Sequence, residues 1–123
     1  MISIKRTLVH SGLALLAAVA LTGCNTGYSA YINNDTSQPL SAKLIDVDGQ
    51  RVLSNATIGP SDKAVLGASE IPEKNAVLLE VDTLGNPGHP PTMRLLPGRT
   101  VVRIVEETQQ STRSKLRIEI VPN

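Results

Sequence analysis

From Tyr28 onward, apolar and polar residues alternate, and turn-forming residues interrupt the alternation every eight to twelve positions or so. Tyr28, Ala30 and Ile32 mark one face of a first strand, which ends in the turn Asn33-Asn34-Asp35-Thr36. Leu40, Ala42 and Leu44 line a face of the second. The apolar positions then change parity at Ile45 and Val47, the mark of a bulge or of a strand covered on both sides. Asp48-Gly49 is a two-residue hairpin signal, and the returning strand carries Val52, Ala56 and Ile58 up to the turn Gly59-Pro60-Ser61-Asp62. A short strand from Ala64 to Leu66 precedes the break Pro72-Glu73-Lys74-Asn75, and Val77, Leu79 and Val81 form a clean buried face. Residues 85–91 hold two glycines and three prolines, so they form neither helix nor central strand. Met93 and Leu95 lead to Pro97-Gly98, Val102 and Ile104 mark another strand, and Leu116, Ile118 and Ile120 alternate with Lys115, Arg117 and Glu119.

This pattern predicts about eight short strands and no amphipathic helix. The fold class it points to is all-β: a single small antiparallel β-sandwich over residues 28–123, with every connection short enough to be antiparallel. The stretches Ile58 to Val65 and Leu95 to Val102 echo each other, each an apolar residue, a proline turn and a strand. They read as two equivalent corners of one sandwich rather than as a repeat array, which needs more units.

The N-terminus is of another kind. Lys5 and Arg6 precede nine apolar residues, Leu13 to Leu21, followed by Thr22-Gly23-Cys24. A positive start, a short apolar run and a small-residue exit are the layout of a secretory signal, and the run falls well below the roughly 20 residues that span a bilayer. Leu21-Thr22-Gly23-Cys24 resembles the bacterial lipobox. That resemblance implies cleavage between Gly23 and Cys24, loss of residues 1–23, and attachment of a diacylglycerol thioether and an N-acyl chain to Cys24. It further implies a membrane-anchored protein of the cell envelope. Asn25, where an Asp marks inner-membrane retention in the Gram-negative pattern, implies the outer membrane, facing the periplasm. Residues 24–27 then read as the lipidated cysteine and a tether of roughly 10 Å. Beyond it, the chain resembles the small immunoglobulin-like, fibronectin III-like or transthyretin-like sandwiches of bacterial lipoproteins, without the Cys–Trp–Cys core of true immunoglobulin domains.

Composition agrees with this reading and narrows it. Cys24 is the sole cysteine, and an unmodified thiol in an oxidising compartment is a liability that thioether formation removes. Lys5 and Arg6 are two of the chain's twelve basic residues, so the 100 residues from Cys24 onward carry ten basic against eleven acidic side chains. That balance gives no footprint for a nucleic-acid partner. With no Phe, no Trp and only Tyr28 and Tyr31, the core is aliphatic, and stacking sites for sugars or bases have few parts.

Candidate chemistry is sparse. Asp46-Val47-Asp48-Gly49 looks like a calcium-loop fragment, but the twelfth position from Asp46 is Thr57 rather than Glu, so it reads as a polar hairpin turn. His89, the one histidine after Cys24, sits in the 85–91 loop with no second histidine or thiol to make a metal site. No Gly-x-Ser-x-Gly turn accompanies it. Arg113, Lys115 and Arg117 share one face of the last strand, with Arg99 and Arg103 as possible neighbours, a row able to meet anionic phosphates or to guard an edge strand. Asn86 and His89 mark the loop as a partner-binding tip. The expectation is a non-enzymatic, lipid-anchored accessory or adaptor of a membrane-associated assembly, with no metal and no cofactor beyond the covalent lipid. The alternative is a module binding a small ligand or an envelope polymer, which calls for an exposed tyrosine platform.

Overall fold

The computed structural model describes residues 25–85, 88, 90–107 and 115–122. Among them the strands run β1 (Asn25–Asn34), β2 (Leu40–Asp46), β3 (Arg51–Ile58), β4 (Lys63–Pro72), β5 (Val77–Thr83), β6 (Thr92–Arg94), β7 (Gly98–Glu107) and β8 (Lys115–Ile120). They form two four-stranded sheets, ordered β4-β1-β7-β8 and β3-β2-β5-β6. The inward positions of both sheets make one core, in which Ile32, Leu44, Leu79, Val81, Val102 and Ile104 are buried and Tyr28 is the only ring. The expected all-β sandwich is therefore the observed architecture. The two echoing segments both carry the chain from the second sheet to the first, at the β3–β4 and β6–β7 crossings.

The first sheet is mixed rather than wholly antiparallel. β1 pairs antiparallel with β4 but parallel with β7, with Tyr28 opposite Gly98 and Asn34 opposite Ile104. Alternation marks which face a residue takes, and it is the same for either strand direction, so it carries no information on this point.

Two bulges decide which apolar residues turn inward. β2 and β3 slip register between Leu44–Ser54 and Ile45–Val52, leaving Leu53 as the extra residue. Leu53 packs on the core while Val52, expected on the inner face, is exposed. In β4, Ser69 and Glu70 lie opposite Gly27 alone, between the pairs Tyr28–Ala68 and Thr26–Ile71. Glu70 takes a positive φ of 59°, and the slip turns Ile71 into the core. β4 therefore runs to Pro72, well past the short strand expected from Ala64 to Leu66.

The same pairing corrects the tether. β1 starts at Asn25, with Asn25 opposite Pro72 and the Thr26 hydroxyl donating to the Ile71 carbonyl at 3.4 Å. Backbone pairing extends past the last apolar position, where alternation no longer signals it. Residues 25–27 are thus part of the sheet and not a spacer. Ten residues of strand at about 3.3 Å each make β1 roughly 30 Å long, and its two ends define the two ends of the sandwich. The β2–β3 hairpin, the β4–β5 turn and the β6–β7 crossing lie at the Asn25 end, whereas β8 stops at Ile120, opposite Val102 and so level with Ile32. The β1–β2 and β3–β4 crossings lie at the Asn34 end, where β5 and β7 finish and β8 begins.

Candidate functional site

At the Asn34 end, polar groups close the core. Asn34 continues the inward parity of Tyr28, Ala30 and Ile32 and is fully buried. Its side-chain amide donates to the carbonyls of Gln38 (2.8 Å), Ile58 (3.0 Å) and Gly59 (3.0 Å). Its Oδ1 accepts from the Thr36 amide (2.9 Å) and hydroxyl (2.6 Å). Carbonyls on one side and an N–H on the other leave one amide orientation that satisfies both. The backbone joins in, with Asn34 N–H donating to Asp62 O and Ser61 N–H donating to Asn34 O. Ser61 takes a positive φ of 60° to do so. One side chain thus ties β1 to the β1–β2 and β3–β4 crossings. Outside it, Glu106 accepts from the Ser37 amide (2.6 Å) and hydroxyl (2.8 Å).

At the Asn25 end a second polar clasp holds two turns together. Asp46 also continues an inward parity, that of Leu40, Ala42 and Leu44, and is buried. Its carboxylate accepts from the Gly49 amide (3.1 Å) and from Asn75 Nδ2 (3.2 and 3.1 Å), with Arg51 Nε at 3.8 Å. Asp48 accepts from the Ala76 amide at 2.5 Å. The hairpin is therefore a four-residue turn, 47–50, in which Gln50 has the positive φ. The role of Gly49 is room, since a Cβ there would meet Asp46 Oδ2 at 2.8 Å. Both aspartates face protein donors, which is a turn and not a cation loop. Among the described residues no group of three His, Cys, Asp or Glu side chains could hold a metal ion.

The Gly49 N–H, then Asn75 and Arg51, hold the Asp46 carboxyl below the usual carboxylate range, against the opposing effect of burial. A lowered value in the folded state means ionised Asp46 adds stability that is present above the unfolded value. It is lost as pH falls through the folded one. The thermal midpoint is therefore expected to drop below about pH 4, and Asp46→Asn is expected to flatten part of that drop. Melting both proteins across the acid range checks this; parallel curves would remove the clasp from the account.

The basic row takes a different form from a free positive face. Arg103 Nε lies 2.7 Å from Glu119, Arg117 lies 2.7 Å from Glu107, and Arg117 also pairs with Glu119. The Arg103 hydrogen bond, then that of Arg117, lowers the Glu119 carboxyl, and Glu119 in turn raises Arg117. The outer face of β7 and β8 thus carries alternating charges, in partly exposed pairs that contribute little stability each. Lys115 sits opposite Glu107 at the Asn34 end, the end away from Cys24. Arg99 leaves the row altogether and lies 4.3 Å from the centre of the Tyr31 ring. Cys24, Gly23, Asn86, His89 and Arg113 lie outside the described residues. The strands that flank the last three, β5 and β6 and then β7 and β8, are joined towards the Asn34 end.

The two tyrosines take opposite faces, as their parity requires: Tyr28 is in the core and Tyr31 is 37% exposed. There is no two-ring platform, and one face of Tyr31 is covered by the Arg99 guanidinium. Along the β6 and β8 edge of the sandwich, the space between the β6–β7 crossing and the end of β8 is a groove of about 310 Å³, lined in part by Met93, Arg94, Leu96, Arg99, Ile120 and Pro122. The sequence pattern did not single out Leu96 or Arg94. Asn34 and Asp46 were legible in principle, because each extends the period-two inner face of its strand by one step. Comparison with protein-family models and with curated proteins finds no match for this chain.

Proposed function

We propose that this chain is a lipid-anchored sandwich of the bacterial cell envelope, held by a diacylglycerol thioether and an N-acyl chain on Cys24. It acts as a non-enzymatic accessory or adaptor in a membrane-associated assembly, with Asn25 favouring the outer membrane and the periplasmic side. The observation that carries the reading is the continuity of Cys24 with β1. Asn25, the next residue, is already paired with Pro72, so a lipid on Cys24 would hold the Asn25 end at the bilayer. The Asn34 end would then face away, by roughly the 30 Å length of β1. Partner contacts belong at that end: the 85–91 loop with Asn86 and His89, and the start of β8 with Lys115 and, just before it, Arg113. Arg117, locked between two carboxylates, contributes shape and alternating charge there rather than net positive charge.

Gentle solubilisation and cross-linking of envelopes, with Cys24→Ser as the unlipidated control, tests the adaptor role. The expected result is a stoichiometric partner that the control loses. Recovery of the protein alone, across detergents and cross-linkers, would contradict it. The second reading, binding of a small ligand or an envelope polymer, rests on Tyr31 and Arg99 alone. It requires Tyr31→Ala to abolish binding of envelope glycans to the intact protein.

A further inference from the structure

We infer that Asn25, Thr26 and Gly27 form a detachable strap, which peels from β4 at Gly27 while the sandwich behind it stays folded. Closed, the strap fixes the direction in which the chain leaves the fold, along the axis of β1. Open, it is a free joint of roughly 10 Å on which the whole sandwich swivels. The hinge follows from the sheet alone; that it turns the sandwich against a bilayer rests on the anchor reading.

The strap is held on one side only, because β7 begins at Gly98, opposite Tyr28. A bulge isolates it, since the register slip cuts off the pairs Asn25–Pro72 and Thr26–Ile71 from Tyr28–Ala68. The bonds across those pairs are few. Pro72 has no N–H, so its pair shares a single backbone hydrogen bond at most. The Thr26 hydroxyl reaches the Ile71 carbonyl at 3.4 Å, longer than a strong hydroxyl bond. Apolar burial adds little: Thr26 is half-buried, Gly27 is exposed, and the core begins at Tyr28. Segments with so few bonds and so little burial open locally, ahead of the global transition.

The joint is also where the sheet is strained and where it can turn. Glu70, opposite Gly27, is the only non-glycine residue inside a described strand with a left-handed φ, 59°. Sterics disfavour that conformation for any residue with a Cβ. Gly27, by contrast, is not required by the closed sheet. Its φ is not left-handed, and a Cβ there would meet nothing nearer than the Ala68 carbonyl oxygen at 3.6 Å, an ordinary contact. What glycine adds at this position is backbone freedom in the open state.

Native-state hydrogen exchange tests the strap. It is run on the full chain purified from cells, amide by amide in rising denaturant, with the mass at Cys24 read on the same sample. The amides bonding β1 to β4 across Thr26 and Ile71 are expected to exchange on the order of a hundredfold faster than those across Ala30 and Leu66. Their exchange is expected to ignore denaturant, because so small an opening exposes little surface. Gly27→Ala is expected to slow it roughly two- to fivefold. Exchange across Thr26 and Ile71 with the same denaturant dependence as Ala30 and Leu66 would overturn the strap. So would fast exchange that Gly27→Ala leaves as it was. An unmodified Cys24 with the strap still opening would overturn the anchor and leave the hinge standing.

Discussion

Asn34→Ala is expected to destabilise the domain by about 3 kcal/mol or more, because the substitution strands several buried groups at once. The carbonyls of Gln38, Ile58 and Gly59 lose their donor, and Thr36 loses its acceptor. Each buried polar group left unpaired costs about 1–3 kcal/mol, and an entering water recovers only part of that. Asn34→Asp is a sharper test of the same geometry. It keeps the acceptor for Thr36 but turns a carboxylate toward three carbonyl oxygens. Burial and those dipoles raise that carboxyl in the folded state, so its penalty is expected to be largest near neutral pH and to shrink on acidification. This sign is opposite to that of Asp46. Denaturant unfolding at neutral and acid pH reads both variants. A cost under about 1 kcal/mol for Asn34→Ala would show that the three segments are held by something else.

Leu79→Ala is the second large effect, expected to cost roughly 3–4 kcal/mol and to lower the melting midpoint by about 15–25 °C. Leu79 is fully buried in β5, opposite Leu44 on one side and Met93 on the other. Its neighbours along the same face are Val77 and Val81, whose branched side chains are stiff and cannot swing into a cavity. A domain of this size has about 5–15 kcal/mol in all, and this core gains from one ring only, that of Tyr28. Val65→Ala, on the exposed side of β4, is expected to be nearly neutral. Equal effects of the two substitutions would mean that β5 is not the centre of the second sheet.

The face of each strand was legible wherever alternation was unbroken. Val77, Leu79 and Val81 are all buried, as are Tyr28, Ala30 and Ile32. What was not legible depends on partners far away in the chain. The bulges at Leu53 and at Ser69-Glu70 reverse parity in a way that only the opposing strand reveals. Asn33-Asn34-Asp35-Thr36 has turn composition, and nothing local shows that Ile58 and Gly59 bring their carbonyls to Asn34. The charge ladder likewise needs the β7–β8 register, which puts Arg103 against Glu119; read along β8 alone, Lys115 and Arg117 look like a free basic row. Leu96 belongs to no periodic run, so its exposure in the β6–β7 crossing is seen only in the folded chain. The lipobox resemblance, by contrast, is wholly local, in Leu21 to Cys24, and it is what assigns direction to the two ends of the fold.

That assignment rests on Cys24, and the mass of the protein extracted from envelopes tests it most directly. The expected product is a chain that begins at Cys24 and carries a diacylglycerol thioether and an N-acyl chain, with Cys24→Ser lacking both. A chain recovered with residues 1–23 removed and an unmodified thiol at Cys24 would contradict it.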